Sequence, residues 1–503
     1  MNSSSILSQV REEVGTSFKL SGSWRARGFA LSRDIPLSRQ SLTHPTVDIL
    51  GFYQNRLDQE YEKITQELEN RSRGLPSSIS SNKESPNFFD TRALLNLEIN
   101  PTQNLSAVIG IVVGDIPFGG RALQPRGPNT TDPAVVGIGS GGELQNASGI
   151  NISTSALNLN YKLPNYNFST RIGLQFFSSV QGRVMFTIGA GVNVIKDFPE
   201  KKYSIESGWI RARERTLTDV DSNGFNDRNY QSANIYFLKY KYFQIKNLKN
   251  EVYSYYSNDN DPTDEFRETG DLIWTGVFNE YRLEKFTFIA HGIYNNGKVR
   301  VARTIVDEQE EVLYQKRDRY KIAGYLLDFQ VNYDFSNLYN LSFIAIGTSG
   351  RPGSDVDGLP ASYKGSGYRT LAPAYAVSNI GIDFIGGYAL FNARSMSGLV
   401  EYGLYGNVIL GGPWQLNLGY YRLYASKAPR LGFNREYNSL FQKESSNFIG
   451  EEWNLNLKWN LYNDFTLHFR SGYFLPYRGL KAINDYLFGK YIREAFITAE
   501  YRF

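Results

Sequence analysis

The fold is decided by the stretch KYIREAFITAEYRF, which runs from Lys490 to Phe503. Counting back from Phe503, every second residue is apolar: Tyr501, Ala499, Ile497 and Ala495. The intervening residues are mostly polar: Arg502, Glu500, Thr498, Phe496 and Glu494. A period of two over this length predicts a β-strand with one apolar and one polar face. A terminal strand leaves an unpaired edge unless the sheet closes into a barrel, so the stretch favours a barrel.

The composition agrees with a large transmembrane barrel. Aromatic residues make up 15% of the 503 residues, with 35 Tyr and 32 Phe, which exceeds what a soluble core needs. Transmembrane barrels carry aromatic girdles at both interfaces, and such girdles account for the excess. Mean hydropathy is −0.39, and no run approaches the roughly 18 apolar residues of a spanning helix. Because only helices and closed barrels satisfy their backbone in lipid, a membrane location implies a barrel.

The sequence also argues against several classes of function. It has no Cys, which excludes disulfides, thiolate metal sites and Cys nucleophiles. The net charge of +4 is a mild excess that does not indicate a nucleic-acid partner. His44, His291 and His468 are the only histidines, and no Gly-x-Ser-x-Gly elbow occurs, so no enzyme is expected. A barrel hydrolase that uses His468 with a lumenal Ser is the weakest alternative.

Period-two alternation recurs along the chain and predicts about eighteen strands in one barrel over residues 17–503, after a polar lead-in at 1–16. One predicted strand covers 183–195. Short turns such as NPTQN (100–104) and DFPEKK (197–202) follow even-numbered strands, whereas connections after odd-numbered strands tend to be long. Short periplasmic turns and long outer loops give this asymmetry, which places both termini on the periplasmic side. Ser378–Leu390 is assigned to an outer loop, because counting it as a strand would give nineteen.

Two segments lie outside this alternation. Met1 to Gln9 lacks the apolar core of a signal peptide, so we expect either a protein that is not exported or, as favoured, a mature chain with an added Met. Residues 34–87 form an insertion in the first outer loop. Within it, apolar residues at helical spacing predict a short amphipathic helix, followed by a Ser-rich segment. We favour a helix resting on the barrel rim, with a plug or a partner-binding helix as the alternative.

Several stretches resemble the alginate-export family of outer-membrane porins. They are FIGEEWNLNLKWNL (448–461) with LHFRSGYFLP (467–476), GTSGRPGSDVDG (347–358), YRTLAPAYAVSNIGID (368–383) and GPWQLNLGYYRLYASKAP (412–429). The resemblance covers mainly residues 340–480, and a closing strand that ends in Phe is similar to those of bacterial outer-membrane barrels. Two features depart from the family: the 34–87 insertion, and Trp453 where an Asp usually follows Gly-x-Glu. The resemblance implies a monomeric barrel of about eighteen strands that passes a polyanionic polysaccharide through an Arg- and Lys-constricted lumen, helped by a periplasmic export scaffold.

Basic residues recur on the polar faces of the predicted strands. A charge on the lipid face near mid-membrane costs about 2–4 kcal/mol, so these residues are expected to face the lumen. There, Arg rings select anions, and guanidinium groups bind carboxylates bidentately. The predicted substrate-path residues are Arg25, Arg27, Arg92, Arg171, Arg183, Arg211, Arg213, Arg470 and Lys458. The alternative is that these side chains pair with lumenal acids and stiffen the interior; the candidate acids are Glu98, Glu452, Glu494 and Glu500.

One acidic loop, DVDSNGFND, matches part of a calcium-binding pattern. Its candidate ligands are Asp219, Asp221, Asn223 and Asp227. Hard oxygen ligands at alternate positions around a Gly-permitted turn suit Ca²⁺. An EF-hand loop has Glu at its twelfth position, where this chain has Tyr230. We therefore favour a solvated acidic loop, with structural Ca²⁺ as the alternative and no other cofactor expected.

Together these features predict an all-β outer-membrane channel that conducts or exports an anionic polysaccharide or a similar polar solute through a basic lumen. A general porin or a channel for hydrophobic compounds is the alternative within transport. A plugged barrel that acts as a structural or interaction protein is the alternative from another class. Expected partners are outer-membrane lipid with lipopolysaccharide, and the transported solute.

Overall fold

The computed structural model describes residues 16–33, 87–118, 152–215, 231–243, 245–259, 268–306, 312–350, 367–371, 376–382, 398–426, 447–477 and 491–503. Nearly all of them lie in eighteen β-strands. The strands are β1 (Ser17–Arg33), β2 (Asn87–Thr102), β3 (Leu105–Phe118), β4 (Ile152–Leu163), β5 (Phe168–Ser178), β6 (Phe186–Phe198), β7 (Tyr203–Arg215), β8 (Gln231–Tyr242), β9 (Leu248–Asp259), β10 (Glu268–Leu283), β11 (Phe286–Val306), β12 (Val312–Ser336), β13 (Tyr339–Thr348), β14 (Leu399–Gly411), β15 (Trp414–Ala425), β16 (Phe448–Asn460), β17 (Phe465–Pro476) and β18 (Ile492–Arg502). Within these ranges no helix reaches seven residues, and none is long and apolar enough to cross a membrane.

The strands form one closed antiparallel barrel. Each strand pairs with its neighbours in sequence, and β1 pairs with both β2 and β18. At the closing seam, Trp24 lies opposite Tyr501 and Arg25 lies opposite Glu500. The terminal strand therefore has a partner on each side, and the barrel has no free edge. This confirms the predicted closed barrel and its count of eighteen strands.

The connections alternate in length as predicted, with two exceptions. Turns after the even-numbered strands are short, as between Leu283 and Phe286 or between Gly411 and Trp414. Glu284 in the first of these turns has a φ of 50°, the left-handed conformation that a tight reversal needs. The exceptions are the connections after β5 and β11, which are also short. Both ends of the described barrel, the start of β1 and the end of β18, lie on the short-turn side.

The outer surface of the barrel is apolar. Leu157, Leu327 and Trp453 are examples, with exposed fractions of 58%, 60% and 53%. Stacked aromatic rings lie near both ends of the strands. Near the short turns, the ring centroids of Trp414 and Trp459 are 4.5 Å apart. Near the opposite end, Tyr402 and Tyr424 are 5.4 Å apart, so an apolar band lies between two aromatic girdles.

The hydrophobic core lies inside the barrel, and it has two sources. Inward-facing residues of the wall supply large buried side chains, such as Trp274, Leu326 and Phe474. Three inward-folded segments pack against them: residues 179–185 between β5 and β6, and residues 367–371 and 376–382 between β13 and β14. Part of the interior is therefore a packed core.

Some sequence predictions need correction or lie outside the described residues. The predicted strand 183–195 begins at Phe186, because Ser179 Oγ accepts the N–H groups of Val184 and Met185 (3.0 Å each) and holds residues 179–185 in a turn. Residues 376–382 do not join the barrel sheet, in agreement with their assignment to a loop. Residues 383–390, the predicted helix in the 34–87 insertion and the acidic loop 219–227 lie outside the described residues.

Candidate functional site

The first inward-folded segment, residues 179–185, is fixed to the lumen wall by a buried ion pair. Arg183 Nε lies 2.9 Å from Asp328 Oδ2 on β12, and the two side chains are 3% and 0% exposed. In the same segment, Gln181 Oε1 lies 3.2 Å from His291 Nδ1, and His291 Nε2 lies 2.6 Å from the Tyr253 hydroxyl. A buried carboxylate that loses its paired cation is costly, so the pair strongly favours the inward position of the turn.

The second segment, residues 367–371, packs directly against the first. Leu371 N–H donates to Val184 O at 2.9 Å, and the Tyr368 hydroxyl donates to Arg183 O at 3.3 Å. The wall also holds it, because Trp274 Nε1 donates to Arg369 O at 2.7 Å. Two connections that are far apart in sequence therefore meet inside the barrel beside β10 to β12.

The third segment, residues 376–382, wraps around a carboxylate of the wall. Glu452 on β16 is completely buried. Its Oε1 accepts the N–H groups of Asn379 and Ile380, and its Oε2 accepts that of Gly381, all at 2.8 Å. Successive backbone N–H groups in such a nest bind anions. The Glu452 carboxylate thus anchors the segment to the wall.

A row of carboxamides crosses the lumen wall from β13 to β16. Each amide donates to the next: Asn407 to Asn340 (2.8 Å), Asn417 to Asn407 (2.6 Å) and Asn456 to Asn417 (3.1 Å). The third segment extends the row, because Asn379 Nδ2 donates to Asn456 Oδ1 at 2.9 Å, and Asn379 Oδ1 accepts from Arg470 Nη2 at 2.8 Å. Arg470 therefore holds the inward-folded segment in place.

The predicted basic residues differ in how far they reach the lumen. Arg171 on β5 is exposed on the inner face, where its Nε donates to Asn160 Oδ1 at 2.5 Å. Arg25 is half-buried between Arg92 on β2 and Glu500 on β18. The inner faces of β1, β2 and β5 therefore bring basic groups to the lumen. Two further predicted residues lie on inner faces: Arg27, which is buried, and Lys458, which is half-buried opposite His468.

Arg211 differs from its predicted position. Along β7, the buried residues Glu206 and Ile210 face inward, and Arg211 lies on the opposite, outer face with Trp209. Its guanidinium lies 6.0 Å from the Trp209 ring, and its Nη1 donates to Asn234 Oδ1 at 3.0 Å. A register shift follows, so that Arg213 pairs with Ala233. The side chain of Arg213 is outside the described part of the chain.

The predicted acidic residues also have distinct environments. Glu452 binds backbone N–H groups of the third segment. Glu494 is buried opposite Gly472, and Glu98 lies opposite Lys19. Glu500 accepts from Arg502 Nε at 2.9 Å. The partner of Arg183, Asp328, was not among the predicted acids.

Sequence reasoning also missed a lysine pair around a buried glutamate. Glu206 on β7 accepts from Lys239 and Lys241 on β8, each at 3.0 Å. All three occupy inward positions in the alternation of their strands, so period two could have found them. The same signal marks Asp328 and the four wall asparagines of the carboxamide row.

The closed sheet, the apolar band between aromatic girdles and the charged interior define an outer-membrane β-barrel protein. The bacterial outer membrane is therefore its location, as predicted.

No protein-family model matches this chain, and no curated protein matches it by sequence. Solved structures match it by fold. OccAB1 of Acinetobacter baumannii aligns with a TM-score of 0.50 at 9% identity, covering 98% of this chain and 99% of that chain. OccK5 (OpdH) of Pseudomonas aeruginosa aligns with a TM-score of 0.48 at 10% identity, and the outer membrane protein opdK of the same organism with 0.48 at 9%. For both, the alignment covers 96% of this chain and 98% of that chain.

These solved structures are outer-membrane porins with eighteen-stranded barrels. The likeness to OccAB1 bears out the barrel fold. It does not confirm the resemblance to the alginate-export family.

Proposed function

We propose that this protein is an outer-membrane channel that conducts or exports an anionic polysaccharide or a similar polar anion. The observation that carries the proposal is Arg171, a guanidinium exposed on the lumen wall and oriented by Asn160. Asn160 uses only Nε, which leaves the two Nη groups for the bidentate contact that carboxylates favour. Arg25 and Arg92, which lie opposite each other on β1 and β2, add a pair of basic residues on the same side of the barrel. The polysaccharide itself rests on the resemblance to the alginate-export family.

A second function is favoured by the packed interior. The three inward-folded segments join a buried hydrophobic cluster, as expected of a plugged barrel that binds a partner at its outer loops. A general porin is the third candidate, since inward-folded segments narrow a lumen without selecting for charge. Conductance separates the plugged barrel from the two channels, because the plugged barrel carries no steady current.

The test is single-channel current in a planar bilayer, with reversal potentials in a salt gradient and added polyuronate oligomers. An anionic conduit gives anion selectivity and block by the oligomers, and both weaken in Arg171→Gln. Arg211→Gln is the matched control, because it removes the same charge from the outer face and leaves selectivity unchanged. Cation selectivity, or conductance indifferent to polyuronates, would leave the general porin. Absence of current after the outer loops are trimmed would favour the plugged barrel.

A further inference from the structure

An apolar groove runs along the outer face of the barrel between β10 and β14. We call it the β12 groove, because Leu327 and Phe329 of β12 form a ridge with small residues on either side. Its volume is about 480 Å³, within the roughly 300–1,000 Å³ of small-molecule sites. The residues that shape it are Ala290 and Gly292 on β11, Leu327 and Phe329 on β12, and Ala345 and Gly347 on β13.

Gly292 and Gly347 keep this groove open, although neighbouring atoms do not require glycine at either position. A Cβ built on Gly292 meets only Leu327 Cδ2, at 3.7 Å, and one built on Gly347 meets only the Val400 methyl groups, at 3.6 Å and 3.8 Å. These distances are ordinary van der Waals contacts. Larger side chains would therefore fit at these positions and would fill the groove. The groove exists because both positions are glycine.

The groove ends at the level of the outer membrane interface. Tyr294 and Tyr325 lie directly opposite each other just beyond Gly292, and both are exposed on the outer face. A tilted strand needs about 9–11 residues to cross the hydrocarbon core. The part of β11 from Phe286 to Tyr294 has that length. Tyrosine favours the headgroup level of a membrane. The next outward positions therefore face lipid headgroups.

A pair of like-charged residues occupies those positions. Lys298 lies directly opposite Lys321, and both side chains are exposed. Further along the same ladder, Arg300 pairs in register with Arg319. Like charges directly opposite each other, with Cβ atoms roughly 5 Å apart, destabilise a hairpin. On β10, Asp271 lies opposite Lys298 and balances one of the two lysine charges, and its Oδ1 also accepts from Tyr256 and Asn258.

We propose that this face binds one phosphorylated, acylated glycolipid of the outer leaflet. Its acyl chains lie in the β12 groove beside the Leu327 ridge. Its phosphate lies between Lys298 and Lys321 and relieves their mutual repulsion. Charge complementarity decides the occupant. A purely apolar partner would bury two lysines with Asp271 as the one acidic residue opposite them in the described ladder, whereas a phosphate on an acyl chain satisfies both parts of the surface.

Native mass spectrometry of the full-length protein in detergent, titrated with bisphosphorylated lipid A, tests the proposal. We expect one tightly bound lipid and an affinity loss of roughly tenfold or more in Lys298→Gln/Lys321→Gln. Gly292→Leu/Gly347→Leu, which fills the groove and keeps the charges, is expected to weaken binding similarly. Lys201→Gln/Lys246→Gln is the matched control, because it removes two charges at the short-turn end. A barrel-like circular dichroism spectrum of each variant verifies folding.

Three further outcomes bear on the proposal. Dephosphorylated lipid A should bind more weakly, and equally to wild type and to Lys298→Gln/Lys321→Gln. Inorganic phosphate at the same concentration should not displace lipid A, because it lacks the chains that fill the groove. Equal lipid A binding by wild type and both double variants would overturn the proposal, as would displacement by inorganic phosphate alone.

Discussion

At the residue scale, the Arg183–Asp328 pair concentrates a large energetic effect in one contact. Both side chains are almost fully buried, and Asp328 Oδ1 also accepts from Gln330 Nε2 at 3.4 Å. We expect Arg183→Met to lower the free energy of unfolding by about 3–5 kcal/mol, because it leaves a buried carboxylate without its cation. Urea unfolding of the refolded barrel, followed by tryptophan fluorescence, measures the change.

The double variant Arg183→Met/Asp328→Leu is the control for that prediction. Replacing a buried pair by apolar residues of similar size is often neutral, so most of the lost stability should return. A double variant as unstable as Arg183→Met would show that the loss does not come from the unpaired Asp328 carboxylate.

Single residues also show how far the sequence could predict the site. Alternation correctly placed Arg171 and Arg470 on inner faces, because their strands keep an unbroken period of two. It placed Arg211 inside on the assumption that a charge avoids lipid. The structure instead stacks Arg211 on Trp209 on the outer face. A charged side chain can remain on the outer face when an aromatic ring and an amide accompany it, and period two alone does not predict those neighbours.

At the element scale, residues 376–382 depend on Glu452 for their position. The carboxylate accepts three backbone N–H groups, and a neutral amide cannot accept all three with the same strength. We expect Glu452→Gln to speed hydrogen exchange at Asn379, Ile380 and Gly381 by tenfold or more, since charge-assisted hydrogen bonds contribute roughly 1.5–3 kcal/mol each. Exchange mass spectrometry of a peptide covering this segment gives the measurement.

Glu500→Gln is the comparison for that experiment. It removes another inner-face carboxylate, but its partner is Arg502 rather than the inward-folded segment. Exchange at 379–381 should match wild type. Equal acceleration in the two variants would show that Glu452 acts through the general charge of the lumen.

Elements differ in how well sequence predicts them. Strands of the wall carry their own signal, because each has one face toward lipid and one toward the interior. The inward-folded segments carry no such period, since their contacts come from distant strands, as Glu452 does for residue 379. The sequence could therefore exclude Ser378–Leu390 from the barrel by strand count, but it could not predict that residues 376–382 pack within the lumen.

At the scale of the whole molecule, closure sets most of the architecture. An even strand number and short turns at one end follow from an antiparallel barrel, and both were read correctly from the sequence. Lumen packing follows from tertiary contacts such as Arg183 with Asp328, whose sequence separation is 145. No local pattern encodes those contacts.

The barrel as a whole makes the two faces of every strand chemically opposite, and β8 allows a direct test. Leu238 is 55% exposed on the outer face, whereas its neighbour Lys239 is buried inside and bonded to Glu206 at 3.0 Å. We expect Leu238→Lys to cost about 2–4 kcal/mol of unfolding free energy in phospholipid vesicles, because it places a charge in the hydrocarbon region. Leu238→Ala loses apolar area without adding charge and should cost distinctly less. Equal costs for the two variants would mean that this face of β8 does not contact lipid.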